Sequence, residues 1–424
     1  GSENFSPGHR FGFFPSVAGG WLVSNEKFWT GRLADVISML KIKGSYGIVG
    51  NDQIGGNRRF IYLETINAGS SWNFGETVKS YPSYRRGEWA NDNVGWEKSR
   101  KLDVGIDISF FDKLRVQVDW FKEKRSGIFL QRSSIPEYVG ITTKPYVNIG
   151  RMRNSGWDCS LQYDQKIGQV NFSAMGNFTF ARNVIEDQDQ PDYIEKYMNR
   201  TGQARWQTFG YVSDGLFKDE ADIATSPDQS ALGEVRPGDI RYKDLNNDGV
   251  IDSKDVKAIG YTDVPEIVYG FGVSAQWKGF DVSVFFQGND HVSFSINSSM
   301  VRGFTEPKMA ANNVFSDIYG NYWTESNTDA KYPRLTTTEA TNNNQSSDFW
   351  LVNGRYLRLK NAEFGYTFPK KLIQKIRLSQ LRIFVSGTNL LTFAPFKLWD
   401  PDLQTGASNY PNTRVANIGL NIGF

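Results

Sequence analysis

Residues 414–424 read RVANIGLNIGF, and after Arg414 the run alternates almost without fault. In an extended strand Ala416, Ile418, Leu420, Ile422 and Phe424 fall on one side, with Asn417, Gly419, Asn421 and Gly423 on the other. A strand with one apolar face and one small or polar face continues to the final residue and closes on an aromatic. What lies against its apolar side decides the fold.

The same pattern recurs upstream. Leu40, Ile42, Tyr46 and Ile48 alternate with Lys41, Lys43, Ser45 and Gly47, and Leu102, Val104, Ile106 and Ile108 with Asp103, Gly105, Asp107 and Ser109. A short FFDK turn at 110–113 leads into Leu114, Val116, Val118 and Trp120. Residues 170–180 and 267–277 alternate likewise, and WKGF at 277–280 turns the second of these into a further strand to Gln287. In YLRLKNAEFGYTFP, Leu357 and Leu359 hold one parity while Ala362, Phe364, Tyr366 and Phe368 hold the other. A bulge near Lys360 and Asn361 restores the phase. With weaker stretches at 11–24, 150–165 and 379–391, about 11 long strands are expected.

The connections sort by side. FFDK, QKIGQ and WKGF are tight, and 25–38 and 369–378, which carry short helical patterns such as KKLIQKI, fall on the same side. The segments near 50–96, 131–149, 184–264, 291–350 and 392–412 are long. Alternation alone fits a soluble sandwich as well as a barrel in lipid, because either environment accepts one apolar face. One-sided long loops, strand length and aromatics near strand ends (Trp21, Trp120, Trp157, Trp277, Tyr356) favour a transmembrane antiparallel β-barrel. The fold class expected is therefore all-β.

Composition narrows the function. The 424 residues hold no apolar run near the roughly 18 that a spanning helix needs. The 48 basic and 46 acidic residues are well mixed, and no basic stripe marks a nucleic-acid groove. One cysteine, Cys159, excludes an internal disulfide framework; it lies inside a strand pattern, as a packed hydrophobe would. His9 and His291 are too few for a histidine metal cluster. Neither a nucleophile elbow nor a phosphate-binding glycine loop is present, and adjacent acids such as Asp219 and Glu220 are expected by chance. An enzyme is not expected. The chain opens GSENFSPGH without an initiator Met or a signal pattern, so either a signal was removed or the chain is a piece of something longer. The odd strand count leaves RVANIGLNIGF without a partner on its free edge, and the C-terminal part of a larger barrel is expected.

GSENFSPGHRFGFFPSVAGGW, LKIKGSYGIVGN, WEKSRKLDVGIDISFFDKLRVQVDWF, NIGRMRNSGWD, WKGFDVSVFFQG, YLRLKNAEFGYTFP, LRIFVSGTNLLTF and the terminal LNIGF occur in order. Together with DLNNDGVID they make the chain resemble the C-terminal half of the barrel of SusC/RagA-type TonB-dependent outer-membrane transporters, over essentially its whole length. The resemblance implies a 22-stranded barrel in the outer membrane of a Gram-negative bacterium, with residues 1–424 as part of that one domain. The N-terminal half of the barrel, its plug and the TonB-contacting box would lie upstream of Gly1. It further implies a SusD-like surface lipoprotein over the long loops, TonB as the source of energy, and glycan or oligopeptide nutrients as substrate. The alternative is a SusC-like scaffold subunit of a larger outer-membrane complex without transport. By likeness to outer-membrane barrels generally, Phe424 would serve as a recognition signal for the insertion machinery.

Two sets of site residues stand out. In DLNNDGVIDSKD, residues 244–255 within the 184–264 loop, Asp244, Asn246, Asp248, Val250, Asp252 and Asp255 take positions 1, 3, 5, 7, 9 and 12 of a Ca²⁺ loop, with Gly249 at the sharp turn. Oxygens at every second residue suit a hard cation, and Val250 would offer its carbonyl; the other reading is a polar turn rich in Asp and Asn. The second set, Trp206, Tyr319, Tyr322, Trp323 and Trp350, comprises loop aromatics able to stack on a sugar ring or a peptide side chain, or else to pack within their loops.

Overall fold

A computed structural model describes residues 1–54, 58–141, 143–304, 314–406 and 408–424. Eleven strands form one antiparallel sheet: β1 Ser16–Leu22, β2 Ile37–Asn51, β3 Glu97–Phe110, β4 Leu114–Gln131, β5 Tyr146–Ile167 and β6 Val170–Asp187. They continue with β7 Ile267–Trp277, β8 Phe280–Asp290, β9 Tyr356–Thr367, β10 Gln380–Phe393 and β11 Val415–Gly423. Each strand pairs with its neighbours in sequence, and β1 and β11 are the two open edges. No helix among the described residues is long and apolar enough to cross a membrane.

Register turns the sequence alternation into two continuous faces. Ile106, Val118, Cys159, Phe178 and Tyr269 face one another across β3 to β7. Trp277, Phe280, Tyr366, Ile383 and Leu420 do the same across β7 to β11, near the tight turns. The polar parity forms the opposite face, with a row running through Lys43, Gly105, Asp119, Asp158 and Thr179. There the Lys43 Nζ reaches across β3 to Asp119 on β4 at 2.9 Å, and to Asp107 at 3.0 Å. Gly105 permits this crossing, since a Cβ there would lie 2.5 Å from the Lys43 side chain. The bulge falls where the phase break requires it: Phe285 and Phe286 oppose Asn361 and Leu359, which leaves Lys360 as the extra residue.

The turns obey the same side rule. Phe111 and Asp112 both have positive φ, and the Lys113 N–H donates to the Phe110 carbonyl at 2.9 Å, the geometry of a two-residue turn matched to strand twist. The intermediate connections carry the helical turns Arg32–Val36 and Lys370–Ile373. Two of the five aromatics placed near strand ends lie elsewhere. Trp120 and Trp157 pair with each other well inside β4 and β5, because these strands run to 18 and 22 residues. A tilted strand needs only about 9–11 residues to span lipid, so β4 and β5 are longer than a span requires.

Candidate functional site

At the long-loop end three separate connections pack into one body. Tyr211, Leu216, Ile240, Tyr242 and Ile251 from the β6–β7 loop meet Phe294, Ile296, Val301, Ile318, Tyr332 and Trp350 from the β8–β9 loop, with Phe396 from the β10–β11 loop. A polar clamp runs through this core. The Gln229 side chain accepts from the Tyr242 N–H at 2.7 Å and donates to Asn342 Oδ1 at 2.9 Å, while Asn343 Oδ1 accepts from the Ile240 N–H at 2.8 Å. Asp239, fully buried, accepts from Asn343 Nδ2 and from Arg334 Nε, both at 2.8 Å. Buried polar groups satisfied in this way fix one arrangement of the loops instead of many. Arg358 on β9, also buried, pairs with Asp400 at 2.5 Å and Asp402 at 2.7 Å and so ties the β10–β11 loop to the wall.

The acidic loop hangs from this body. Ile251 sits in the apolar core, and its N–H donates to the Asp228 carbonyl at 2.8 Å. Asp244 accepts from the Asn247 N–H at 2.7 Å and the Gly249 N–H at 2.8 Å, and Gly249 turns the chain at φ 86°. Asp248 Oδ1 accepts from the Val250 N–H at 3.0 Å, and buried Asp255 accepts from the Leu245 N–H at 2.7 Å and the Asp252 N–H at 2.9 Å. The Lys254 ammonium lies 3.5 Å from Asp248 and 3.3 Å from Asp252. Among the described residues no three His, Cys, Asp or Glu side chains are drawn together as a bound ion requires. Negative charge is nevertheless concentrated here. Burial, then the carboxylates of Glu195, Asp255, Asp244 and Asp248, push the Tyr197 hydroxyl up to about 12.

The five aromatics divide. Trp350 is only 1% exposed, and its Nε1 donates to the Asn343 carbonyl at 2.7 Å, so it is a core residue of the packed loops and not a stacking surface. Tyr322 and Trp323 are half-buried against the same core. Tyr319 is 75% exposed on its rim. Trp206 stands apart, 67% exposed, in the wall of a cavity of about 220 Å³ with Glu123, Arg125, Asn154, Asn183 and Arg205 on the polar face of the sheet. Asp219, noted beside Glu220, caps the helix Glu220–Thr225 by accepting from the Asp222 N–H at 2.8 Å, a structural task.

Sequence comparison supplies the deciding observation: residues 12–297 match the family model described as TonB dependent receptor-like, beta-barrel. The chain belongs to that family. It is 28% identical to TonB-dependent receptor P3 of Formosa agariphila, over 100% of this chain and 43% of the relative. It is 26% identical to TonB-dependent receptor SusC of Bacteroides thetaiotaomicron, over 100% of the chain and 41% of the relative. The receptor chain thus spans less than half the length of these curated relatives. Its fold matches the structure of the RagAB peptide transporter with a TM-score of 0.73 at 22% identity, covering 100% of this chain and 44% of that one. The RagAB peptide importer in its "closed-closed" state gives 0.74 at 22% identity, with the same coverage. The sheet is therefore part of an outer-membrane barrel. Its apolar face meets lipid, its polar face lines the lumen, and the packed loops form an extracellular cap.

Proposed function

We propose that the receptor chain supplies eleven strands of wall, lumen and cap to an energised outer-membrane importer of oligomeric nutrients, glycan or oligopeptide. The observation that carries this reading is one sheet with an unbroken lipid face, a charged lumen face and a cross-braced cap over a single end. A pore wall needs the first two features; capture of a large substrate at the mouth needs the third. The free edges of β1 and β11 are where further strands of the barrel would pair, because backbone groups in lipid must be satisfied. A plug moved by TonB would gate the lumen, and a SusD-like surface lipoprotein would close on the cap. A relative named TonB-dependent receptor SusC and a structural neighbour described as a peptide transporter support TonB-dependent import.

The 244–255 segment is proposed as a structural Ca²⁺ loop. Asp244, Asn246, Asp248, Asp252 and Asp255 and the Val250 carbonyl are hard oxygen donors, and Lys254 holds a positive charge among them that a bound cation would displace. Anchored by Ile251, the ion would stiffen the cap and take no part in chemistry.

The test is uptake. Cells carrying the full-length receptor should import labelled oligosaccharide or oligopeptide only when the receptor is present and the inner-membrane proton gradient is intact. Uptake indifferent to the gradient, or a receptor that assembles with partners yet imports neither class, refutes the importer and returns the scaffold reading.

A further inference from the structure

Resting on the importer reading, we infer that the Arg205–Trp206 corner is an anion-plus-ring subsite of the lumen wall and that it takes acidic saccharides, a sugar carboxylate on Arg205 with the sugar ring on Trp206. The Arg205 guanidinium lies 4.4 Å over the Trp206 ring, Arg205 lines the cavity, and its side chain has no hydrogen-bond or ion-pair partner among the described residues. The carboxylates nearby are already committed. Glu123 accepts from Ser99 Oγ at 2.6 Å and Arg125 at 3.1 Å; Glu97 accepts from the Asn51 side chain and the Phe129 N–H, both at 3.0 Å. Asp187 is held by Arg151 at 2.8 Å. Arg205, exposed to solvent, is thus open to an anion arriving from the lumen.

Backbone geometry points the same way. Trp206 adopts φ 64°, a conformation unfavourable for a bulky side chain, and does so in an exposed position where no apolar core compensates it. It is held there from both sides. The Arg205 N–H donates to Asn183 Oδ1 on β6 at 2.7 Å, and Gln207 Nε2 donates to the Ile259 and Gly260 carbonyls at 2.7 and 2.9 Å. A strained corner clamped by two amides presents the indole as a fixed platform, with Asn154 and Asn183 beside it to meet hydroxyl groups. The cavity adjoins a second of about 340 Å³ that shares Arg125, Met152 and Arg205, so a groove leads onward for further sugar units.

Calorimetric titration of the full-length receptor with trigalacturonate, its fully methyl-esterified form and triglutamate tests this. Trigalacturonate should bind at least tenfold more tightly than the ester or the peptide. Arg205→Gln should remove about tenfold of the acid's affinity and leave the ester unchanged, Trp206→Ala should weaken both, and Trp206→Phe should retain most of the binding. Equal affinity for acid and ester, no binding of trigalacturonate, or an Arg205→Gln change under twofold overturns the anion site. Triglutamate binding as tightly as trigalacturonate overturns the sugar. Gradient-driven uptake of trigalacturonate unaffected by Arg205→Gln would overturn this subsite alone, whereas gradient-independent uptake with intact binding would overturn the importer alone.

Discussion

Trp350→Ala tests whether the cap is one body. The indole is 1% exposed, and a buried Trp removes about 150–250 Å² from water, worth roughly 4–6 kcal/mol at 25 cal/mol per Å². Partial collapse around the vacated space brings the expected loss to about 3–5 kcal/mol. Trp350→Phe keeps most of the apolar contact but leaves the Asn343 carbonyl without its 2.7 Å donor, at a cost of about 1–3 kcal/mol. Hydrogen exchange of the full-length receptor reads the effect where it is most diagnostic, at Ile240 and Tyr242 on a different loop. With tenfold per 1.4 kcal/mol, exchange there should accelerate by about two to three and a half orders of magnitude in Trp350→Ala, while the sheet is unchanged. Acceleration confined to residues 345–353 would refute the cap as a cooperative unit.

Val273 on β7 faces lipid between Ala174 and Val284; Val273→Arg should cost about 2–4 kcal/mol and lower the folded, heat-modifiable fraction on gels, whereas Ser274→Arg, facing the lumen, should not. Equal effects would overturn the assignment of faces. The double change Asp244→Ala, Asp248→Ala should lower bound calcium, counted by elemental analysis of the dialysed receptor; an unchanged content refutes the metal loop. Asp189 joins two extracellular loops by accepting from Ser134 Oγ at 2.8 Å and the Ser134 N–H at 2.9 Å. Burial raises its pKa, but these bonds and Arg132 outweigh burial and hold it below the ordinary 3.8. A depressed carboxylate stabilises fully above its unfolded pKa and is lost as pH falls through the folded one. Proteolysis near Ser133 should therefore rise only below about pH 4, and no rise there would refute the bridge.

The strands were legible because each keeps one parity over most of its length, and the break at Lys360 announced its own bulge. Trp120 and Trp157 were misplaced for a physical reason. Beyond them FKEKRSGIFLQ carries charge on both parities, so the outer half of β4 gives no alternating signal. The cap was hidden more deeply. Polar runs such as TNNN read as loop, yet Asn342 and Asn343 are buried because they complete hydrogen bonds to Ile240 and Asp239, more than a hundred residues earlier. Pairings of that range leave no local period. Trp206 was visible as a loop aromatic, but its companionship with Arg205 over a lumenal cavity depends on the clamp by Asn183.

The span of those pairings bears on the order of assembly. The sheet joins only strands adjacent along the chain, five pairs of them through tight or intermediate connections, so it can form strand by strand. The cap contact from the Ser213 N–H to Asp348 closes 135 residues, and Phe396 arrives later still. The expected order therefore places the cap after the wall that spaces its three loops. Lesions in it should accelerate opening at the cell surface while leaving insertion into the membrane at its normal rate.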